Sequence, residues 1–227
     1  MIGSADCLEQ LRGEGKRLPI SFIEPLEEKN FDEVQMYDYV KTYASLRGME
    51  QTLAALPYAR DLHEGQFRKG KEKVPYISHP LTLACHAIAL GLDRDEIIAT
   101  ALLHDVCEDC GVTWEELPVG EEVRCAVKLL TKKPGGHDKK AYFEPIAKNE
   151  IALFVKLLDR VHNVSGMAGC FSKQKLVRYI DETEQWFYPM LQIARTDYPQ
   201  YSNQVFLIEY HMVSVVNSLK CMLNESV

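Results

Sequence analysis

An acidic segment that follows an apolar run carries the clearest chemical signal in this sequence. Residues 99–103 are apolar or small, and His104, Asp105, Glu108 and Asp109 follow within six positions. If the segment is helical, residues four apart share a face, and like charges there repel by roughly 0.2–0.5 kcal/mol per pair. Burial beside leucines increases that cost. A divalent metal would relieve it, and imidazole and carboxylate ligands suit Mn²⁺, Fe²⁺ or Zn²⁺.

Two other places in the chain offer matching side chains. Asp159 and Asn163 follow the mostly apolar run 155–158, and their spacing puts both on one helical face. His79 precedes Pro80, which favours an extended or turn conformation at a helix start, from which the ring can point across a bundle. The candidate metal ligands are therefore His79, His104, Asp105 and Asp159. Two imidazoles and two carboxylates leave open coordination positions, as a catalytic metal requires.

Each of these residues also has a structural interpretation. His79 could be a core or capping histidine, since buried polar groups are usually hydrogen-bonded. Asp159 and Arg160 could form a solvated ion pair, which contributes only about 0–1 kcal/mol, and Asn163 could end a helix. Taken singly, Asp159 and Asn163 favour these interpretations. The interpretations weaken when all the residues are considered together at the ends of apolar helices.

The composition indicates an ordinary globular protein. The chain has 227 residues, of which 46% are hydrophobic, and this length suits a single domain. The net charge of −7 argues against a nucleic-acid binder, which is normally basic. No apolar run approaches the ~18 residues of a membrane span, and no signal peptide is evident. The seven cysteines, including Cys107 and Cys110 without a second zinc-binding pair, indicate reduced thiols in a cytoplasmic protein.

Apolar residues recur at three-to-four spacing through most of the chain, which predicts helices. The predicted helices cover 31–46, 51–67, 81–90, 95–106, 121–130, 150–164, 172–194 with a kink at Pro189, and 201–223. Thr113–Glu116 has the form of a capping box, and 131–140 is typical of a polar loop. We predict an irregular arm over 1–30 and one all-α domain over 31–227, with room for a small hairpin at 71–76.

Four motifs, in order, resemble the hydrolase domain of the RelA/SpoT family, within the HD phosphohydrolase superfamily. They are Ala59–Lys69 (ARDLHEGQFRK), Pro75–Pro80 (PYISHP), Ala101–Asp109 (ALLHDVCED) and Val155–Asn163 (VKLLDRVHN). The resemblance implies an HD-domain helical bundle, in which His63 and Gln66 would brace the pocket rather than bind metal. Because the chain ends too soon to hold the synthetase domain of the long members, it resembles a small standalone alarmone hydrolase.

The resemblance implies a metal-dependent reaction on a nucleotide. It assigns Mn²⁺ to His79, His104, Asp105 and Asp159, and a catalytic role to Glu108 and Asp109. The implied reaction is hydrolysis of the 3′-diphosphate of (p)ppGpp to GDP or GTP and pyrophosphate. The chemistry is compatible, because a metal lowers the pKa of bound water toward ~7 and acids one turn further on can orient the nucleophile or move its proton. Which of the two acids does so stays open.

A highly anionic substrate needs local positive charge in an acidic chain. The run 68–73 supplies it just before the second motif. By resemblance, Arg68 packs on the guanine base and Asn163 contacts the nucleoside, so Arg68, Lys69 and Asn163 are the candidate substrate-binding residues. A guanidinium can stack on a base and still attract phosphate. The lysines could equally form a solvated loop, and the second basic cluster, within 132–140, is expected to be a mobile loop.

Three departures from the family pattern leave alternatives for the function. The segment 69–78 is longer than in the long bifunctional members, Cys110 stands where the family usually has threonine, and residues 164–167 lack the family's arginine-containing continuation. The alternatives are another HD-type phosphohydrolase, such as a nucleotidase or an NADPH phosphatase, and a non-catalytic alarmone-binding module. Retention of both Glu108 and Asp109 argues against the binding module, which would not need them.

Overall fold

The computed structural model describes residues 32–68, 73–132, 138–167 and 170–224. The N-terminal arm predicted over 1–30 lies outside these ranges, and so do Lys69, Lys71 and Lys133. The division into an arm and one domain therefore stays a prediction.

Helices make up the described part of the chain, apart from turns and short connections. They are α1 (Glu33–Arg47), α2 (Glu50–Leu62), α3 (Ser78–Leu90), α4 (Asp95–Leu103), α5 (Val106–Asp109), α6 (Glu121–Leu130), α7 (Lys139–Ala147), α8 (Glu150–Gly166), α9 (Lys173–Glu182), α10 (Tyr188–Asp197) and α11 (Ser202–Asn224). A π-helical turn (Thr183–Phe187) joins α9 to α10, and 3₁₀ turns lie at Trp114–Glu116 and Pro199–Tyr201. The all-α prediction is confirmed. Within the described residues no strand forms, and an isolated antiparallel bridge between Phe67 and Pro75 flanks the position suggested for a hairpin.

Short-range sequence signals set several helix ends. The Asp32 carboxylate accepts hydrogen bonds from two backbone N–H groups in the first turn of α1, as an N-cap should. Gly91 ends α3 with a φ of 76°, a conformation that glycine adopts without steric cost. The capping box predicted at Thr113 is present, and the Glu116 carboxylate accepts from the Thr113 backbone N–H at 2.7 Å. It opens a 3₁₀ turn rather than an α-helix.

One predicted helix is shorter than expected, and one helix was not predicted. Helix α2 stops at Leu62 instead of reaching Phe67, because Gly65 takes a φ of 75° and turns the chain. Helix α7 begins inside the predicted loop 131–140, where the Asp138 side chain caps it by accepting from the Lys140 backbone N–H. Because the helix begins with two lysines, Lys139 and Lys140, its sequence looks like a continuation of the polar loop.

Two other predicted helices are interrupted. The helix predicted over 172–194 contains the π-helical turn, and Pro189 lies in the first turn of α10, where a missing N–H costs no hydrogen bond. The helix predicted over 95–106 breaks after Leu103, and His104 and Asp105 form a turn before α5. His104 and Asp105 therefore lie at a junction between two helices, not along one helical face.

The apolar core surrounds α8. Residues 151–158 are all buried, and α8 packs against α3, α4, α6, α7, α10 and α11. Because this middle part of α8 is covered on every side, its side chains are held in fixed positions relative to α3 and α4. Among the described helices, none has the length and apolarity that crossing a bilayer demands.

Candidate metal centre

The four predicted metal ligands meet where three helices approach one another. His79 lies in the first turn of α3, His104 and Asp105 form the turn after α4, and Asp159 lies in the second half of α8. The imidazoles of His79 and His104 are only 3% and 2% exposed. Buried rings at the ends of packed helices have little freedom to move.

The ligand atoms of these residues face one another. The Nε2 atom of His79 lies 3.2 Å from Nε2 of His104, 3.5 Å from Oδ2 of Asp105 and 3.3 Å from Oδ1 of Asp159. The Nε2 atom of His104 lies 3.0 Å from Oδ2 of Asp105 and 4.0 Å from Oδ1 of Asp159. Ligand atoms of His79, His104 and Asp105 all lie within 4.8 Å of one another. The structure thus brings the four residues into one cluster.

The pattern of donors and acceptors in this cluster fits a cation. The Nδ1 atom of His104 lies 2.9 Å from the carbonyl oxygen of Ala101. Since that oxygen can only accept, Nδ1 carries a proton and the neutral ring turns a lone pair on Nε2 toward the cluster. Burial disfavours the charged ring, yet Asp105 and Asp159 raise the pKa of His104. A proton held in this way occupies the electrostatic place of a metal ion, with which it would compete.

Further contacts hold both carboxylates of the cluster. The Tyr76 hydroxyl donates to Oδ2 of Asp105 at 2.7 Å. Lys156 Nζ donates to Oδ2 of Asp159 at 3.2 Å, and Asn163 Nδ2 donates to Oδ1 at 2.5 Å. Although burial opposes ionisation, the Lys156 ammonium holds the pKa of Asp159 well below its usual range. Contacts of this kind orient metal ligands and tune their affinity.

The acid pair lies directly after the ligand turn. Glu108 and Asp109 are exposed residues of α5. Glu108 Oε1 accepts from the backbone N–H of Lys132 at 2.5 Å, and Lys132 Nζ lies 3.5 Å from Oε2. Burial and the charges of Asp105 and Asp109 raise the pKa of the Tyr76 hydroxyl. The pair is adjacent to the cluster without belonging to it.

Residues of the first motif connect the end of α2 to the turn of the acid pair. The Nδ1 atom of His63 lies 2.8 Å from Oε1 of Gln66. The Gln66 amide donates to the carbonyl oxygen of Asp109 at 3.5 Å and to the Cys110 sulfur at 3.6 Å. The Cys110 thiol in turn donates to the carbonyl oxygen of Leu62 at 3.5 Å. These contacts bridge two segments that lie more than forty residues apart in the chain.

Arg68 contacts the residues that follow Asp159 on α8. Its Nη2 donates to Oδ1 of Asn163 at 3.1 Å, and its Nη1 lies 3.4 Å from Nδ1 of His162. Burial, together with the charges of His79 and Arg68, lowers the pKa of His162 to about 3. That ring is therefore neutral at neutral pH. The third candidate contact, Lys69, lies outside the described residues.

The structure adds side chains that the sequence did not single out. A cavity of about 290 Å³ is lined by Lys139, Lys175, Arg178, Tyr179 and Glu182. Glu182 accepts a hydrogen bond from Arg160, the neighbour of Asp159 in the chain, at 2.7 Å. Lys175 and Arg178 lie beyond the last recognisable motif, and no local signal in the sequence marks them.

Lys156 and His162 lie inside the fourth motif, three residues before and after Asp159, a spacing that places them on its face of the helix.

Comparison with known proteins supports the relationship suggested by the motifs. A family model described as HD domain matches residues 55–130. Guanosine-3′,5′-bis(diphosphate) 3′-pyrophosphohydrolase MESH1 of Xenopus tropicalis is 32% identical over 141 residues, which are 59% of this chain and 79% of that protein. The chain belongs to the HD-domain (p)ppGpp hydrolase family. The resemblance to RelA/SpoT hydrolase domains is thereby confirmed.

Other members of the (p)ppGpp hydrolase family are longer. The bifunctional (p)ppGpp synthase/hydrolase SpoT of Escherichia coli strain K12 is 34% identical over 163 residues, which are 66% of this chain and 23% of that protein.

A solved structure of a metazoan orthologue of SpoT that hydrolyses ppGpp superposes with a TM-score of 0.56 at 21% identity, covering 70% of this chain and 93% of that one. This likeness supports the HD-domain fold.

Proposed function

We propose that the protein is a Mn²⁺-dependent hydrolase that removes the 3′-diphosphate of (p)ppGpp, giving GDP or GTP and pyrophosphate. The observation that carries the proposal is the cluster in which the Nε2 atoms of two imidazoles face two carboxylates, beside an exposed acid pair. Family membership supports the substrate class, because relatives that share the HD domain have names that specify this hydrolysis.

The proposal gives each part of the site a role. The metal ligands are His79, His104, Asp105 and Asp159. A Mn²⁺ ion held by these residues would supply positive charge and Lewis acidity at the phosphoryl oxygens. The oxygen of water forms a bond to the phosphorus next to the ribose, the bond from that phosphorus to the 3′-oxygen breaks, the 3′-oxygen takes a proton, and pyrophosphate leaves. Glu108 and Asp109 hold the water and carry its proton.

Cations from two parts of the chain hold the nucleotide. Arg68 and Asn163 orient the base and nucleoside, and Lys69 is the third proposed substrate-binding residue. Lys139, Lys175 and Arg178 line the cavity next to the Arg160–Glu182 contact, where they attract the phosphates. Such a local basic surface compensates for the net charge of −7, since clefts lined by one sign of charge concentrate ligands of the other.

The same proposal places the protein in the cytoplasm, with a small nucleotide as its partner and no role for nucleic acid or a membrane. The described cysteines are free thiols, the state that a reducing compartment maintains.

The segment after Asn163 favours a second candidate, a phosphohydrolase that acts on another nucleotide such as NADPH. Here the Ser165 hydroxyl donates to the carbonyl oxygen of Val161 at 2.8 Å and lies 3.0 Å from Nε2 of His211 on α11. The family's usual arginine is absent from 164–167, so the surface offered to the nucleotide differs from that of its relatives.

The experiment incubates purified protein and Mn²⁺ with ppGpp, pppGpp, GTP, NADPH and dNTPs, and identifies the products. We expect pyrophosphate with GDP or GTP from the two alarmones. Release of inorganic phosphate from NADPH, with no product from the other nucleotides, would favour the second candidate. Absence of pyrophosphate from ppGpp, with metal content verified, would refute the leading proposal.

The double variant Glu108→Gln/Asp109→Asn separates catalysis from metal binding. We expect it to keep bound Mn²⁺ and lose turnover, because its side chains lie outside the ligand cluster. His104→Ala should lose the metal as well. Metal loss in the acid-pair variant would contradict the roles assigned to these residues.

A further inference from the structure

His162 forms an unusual contact with a candidate metal ligand. Its Nδ1 atom lies 2.7 Å from Nδ1 of His79, and the two ring centroids are 4.7 Å apart. Two ring nitrogens at that distance form a hydrogen bond, which requires one of them to carry the proton and the other to present a lone pair.

The surroundings of His79 decide which ring donates. Its Nε2 atom faces His104, Asp105 and Asp159, and an imidazole nitrogen that binds a metal cannot carry a proton. The proton of a neutral His79 ring must then be on Nδ1. Consequently His79 donates, and Nδ1 of His162 accepts.

Arg68 provides an independent argument for the same assignment. A guanidinium can only donate hydrogen bonds, and Arg68 Nη1 lies 3.4 Å from the same Nδ1 atom of His162. An acceptor at this position satisfies both neighbours. A protonated Nδ1 on His162 would face an N–H group from each of them.

The contacts of Arg68 also lead to a second ligand. Arg68 Nη2 donates to Oδ1 of Asn163 at 3.1 Å, and Asn163 Nδ2 donates to Oδ1 of Asp159 at 2.5 Å. From one guanidinium, therefore, one path runs through His162 to His79 and another through Asn163 to Asp159. The Asn163 amide is oriented by this arrangement, because its oxygen accepts from Arg68 while its nitrogen donates to the carboxylate.

We infer that His162 is a positioning residue that fixes the tautomer and orientation of His79, and that Arg68 sets the affinity of the metal site through His162 and Asn163 as well as binding the nucleotide. The inference rests on the metal site of the proposed function and is independent of which nucleotide is the substrate. Since binding free energies are reciprocally linked, occupation of the metal site then also prepares Arg68 for the base.

The test measures Mn²⁺ affinity by calorimetric titration of chelator-treated protein without nucleotide. The oxygen of an asparagine side chain occupies about the position of a histidine Nδ1, whereas that of glutamine reaches the position of Nε2. We expect His162→Asn to retain affinity within about threefold, and His162→Ala and His162→Gln to lose about 10–100-fold, the usual cost of removing an outer contact of a metal ligand. Circular dichroism and thermal unfolding of the chelated proteins verify that each variant is folded.

A second pair of variants tests the role of Arg68. Arg68→Ala should weaken Mn²⁺ binding about tenfold or more, although Arg68 is not a ligand. Arg47→Ala removes the same charge from an arginine that contacts Asp93 and Tyr43 instead, and it should leave Mn²⁺ affinity unchanged.

Equal Mn²⁺ affinity in wild type, His162→Ala and Arg68→Ala would overturn the inference while leaving the metal site intact. Wild-type protein that does not bind Mn²⁺ would overturn the metal site itself, and this inference with it. Because the titration contains no nucleotide, a failure to hydrolyse (p)ppGpp is a separate result.

Discussion

Asp159 and Arg160 are adjacent on α8, yet they belong to clusters of opposite character. Asp159 lies among the candidate metal ligands. The Arg160 guanidinium, only 6% exposed, donates to Oε2 of Glu182 at 2.7 Å and to the Thr183 hydroxyl at 3.3 Å. It also lies 3.9 Å from the ring centroids of Tyr179 and Phe187. The solvated pair considered for Asp159 and Arg160 is therefore wrong, because consecutive helical residues do not face each other.

The two clusters differ in how their hydrogen-bond donors and acceptors are matched. Around Arg160, each charged group has a partner within the protein, and Glu182 also accepts from Lys139 Nζ at 2.9 Å. Around Asp159, ring nitrogens and carboxylate oxygens face one another, and Lys156 supplies the neighbouring positive charge. Charged groups are costly to bury unless a charge of opposite sign lies beside them; a cation fits between the facing nitrogens and oxygens of the Asp159 cluster, whereas the Arg160 guanidinium already supplies that charge in its own cluster.

The largest expected effect is that of Asp159→Asn. The substitution preserves shape and removes one anionic ligand, so Mn²⁺ binding should fail. The turnover of ppGpp should fall with it on the order of 10³-fold, because several kcal/mol of transition-state stabilisation are lost with the metal. Metal titration and a product assay measure the two quantities. Retention of wild-type Mn²⁺ affinity in this variant would remove the distinction between the clusters.

Arg160→Met should act on stability instead. The variant leaves the partly buried Glu182 carboxylate without its main partner, and we expect the free energy of unfolding to fall by about 3 kcal/mol, measured by urea denaturation. Replacing both charges, as Arg160→Met/Glu182→Leu, should recover much of that loss because no buried charge is left unpaired, and Lys139, which loses Glu182 as a partner, is 51% exposed. Mn²⁺ affinity should be unchanged in both. A folded Arg160→Met protein that no longer binds Mn²⁺ would show that the clusters are coupled.

The helices were largely predictable because their signals are local. Apolar spacing and the residues Gly91 and Thr113 mark ends that depend on neighbours within one turn. Helix α7 was missed because Lys139 and Lys140 continue a polar run, while the Asp138 cap that begins the helix looks like another loop residue. The π-helical turn after α9 has no marker in the sequence.

The candidate site was predictable only where the motifs carry it. The cluster of His79, His104, Asp105 and Asp159 follows from residue type and motif order, but its construction at a helix junction does not. The partner of Arg160 lies 22 residues away, and the link from Arg68 to His162 spans 94. Contacts of that separation depend on how helices pack, which periodicity within each helix does not determine.

The Arg160 cluster should also respond to pH in a defined direction. Burial opposes ionisation of Glu182, but hydrogen bonds from Arg160 and Lys139 lower the pKa of its carboxyl. An unfolded glutamate titrates near pH ~4.3, so the stabilisation is complete above that value and is lost as the pH falls through the lower folded pKa. Relative to Glu182→Gln, the wild type should be more stable by about 1–2 kcal/mol at pH 7, and the difference should shrink as the pH falls below the unfolded value and through the lower folded pKa. A difference independent of pH would mean that the charge of Glu182 is not what stabilises.

The smallest stability effect is expected for Lys139→Gln. The Lys139 side chain is 51% exposed although its Nζ lies 2.9 Å from Glu182, and exposed ion pairs contribute about 0–1 kcal/mol. Yet Lys139 also lines the cationic cavity, so the KM for ppGpp should rise a few-fold with kcat unchanged, as expected for lost uniform binding. The increase should diminish as salt screens the charge.

Lys140→Gln is the matched control for that variant. It removes the same charge one residue later, from a side chain that is 71% exposed and pairs with Glu144 rather than lining the cavity. Equal KM values for the two variants would show that general charge attraction, and not the cavity, accounts for the effect. A higher KM for Lys139→Gln alone would show that Lys139 acts in two ways. It contributes weakly to the stability of the Arg160 cluster, whose charges are paired within the protein, and more strongly to the surface that binds the anionic substrate.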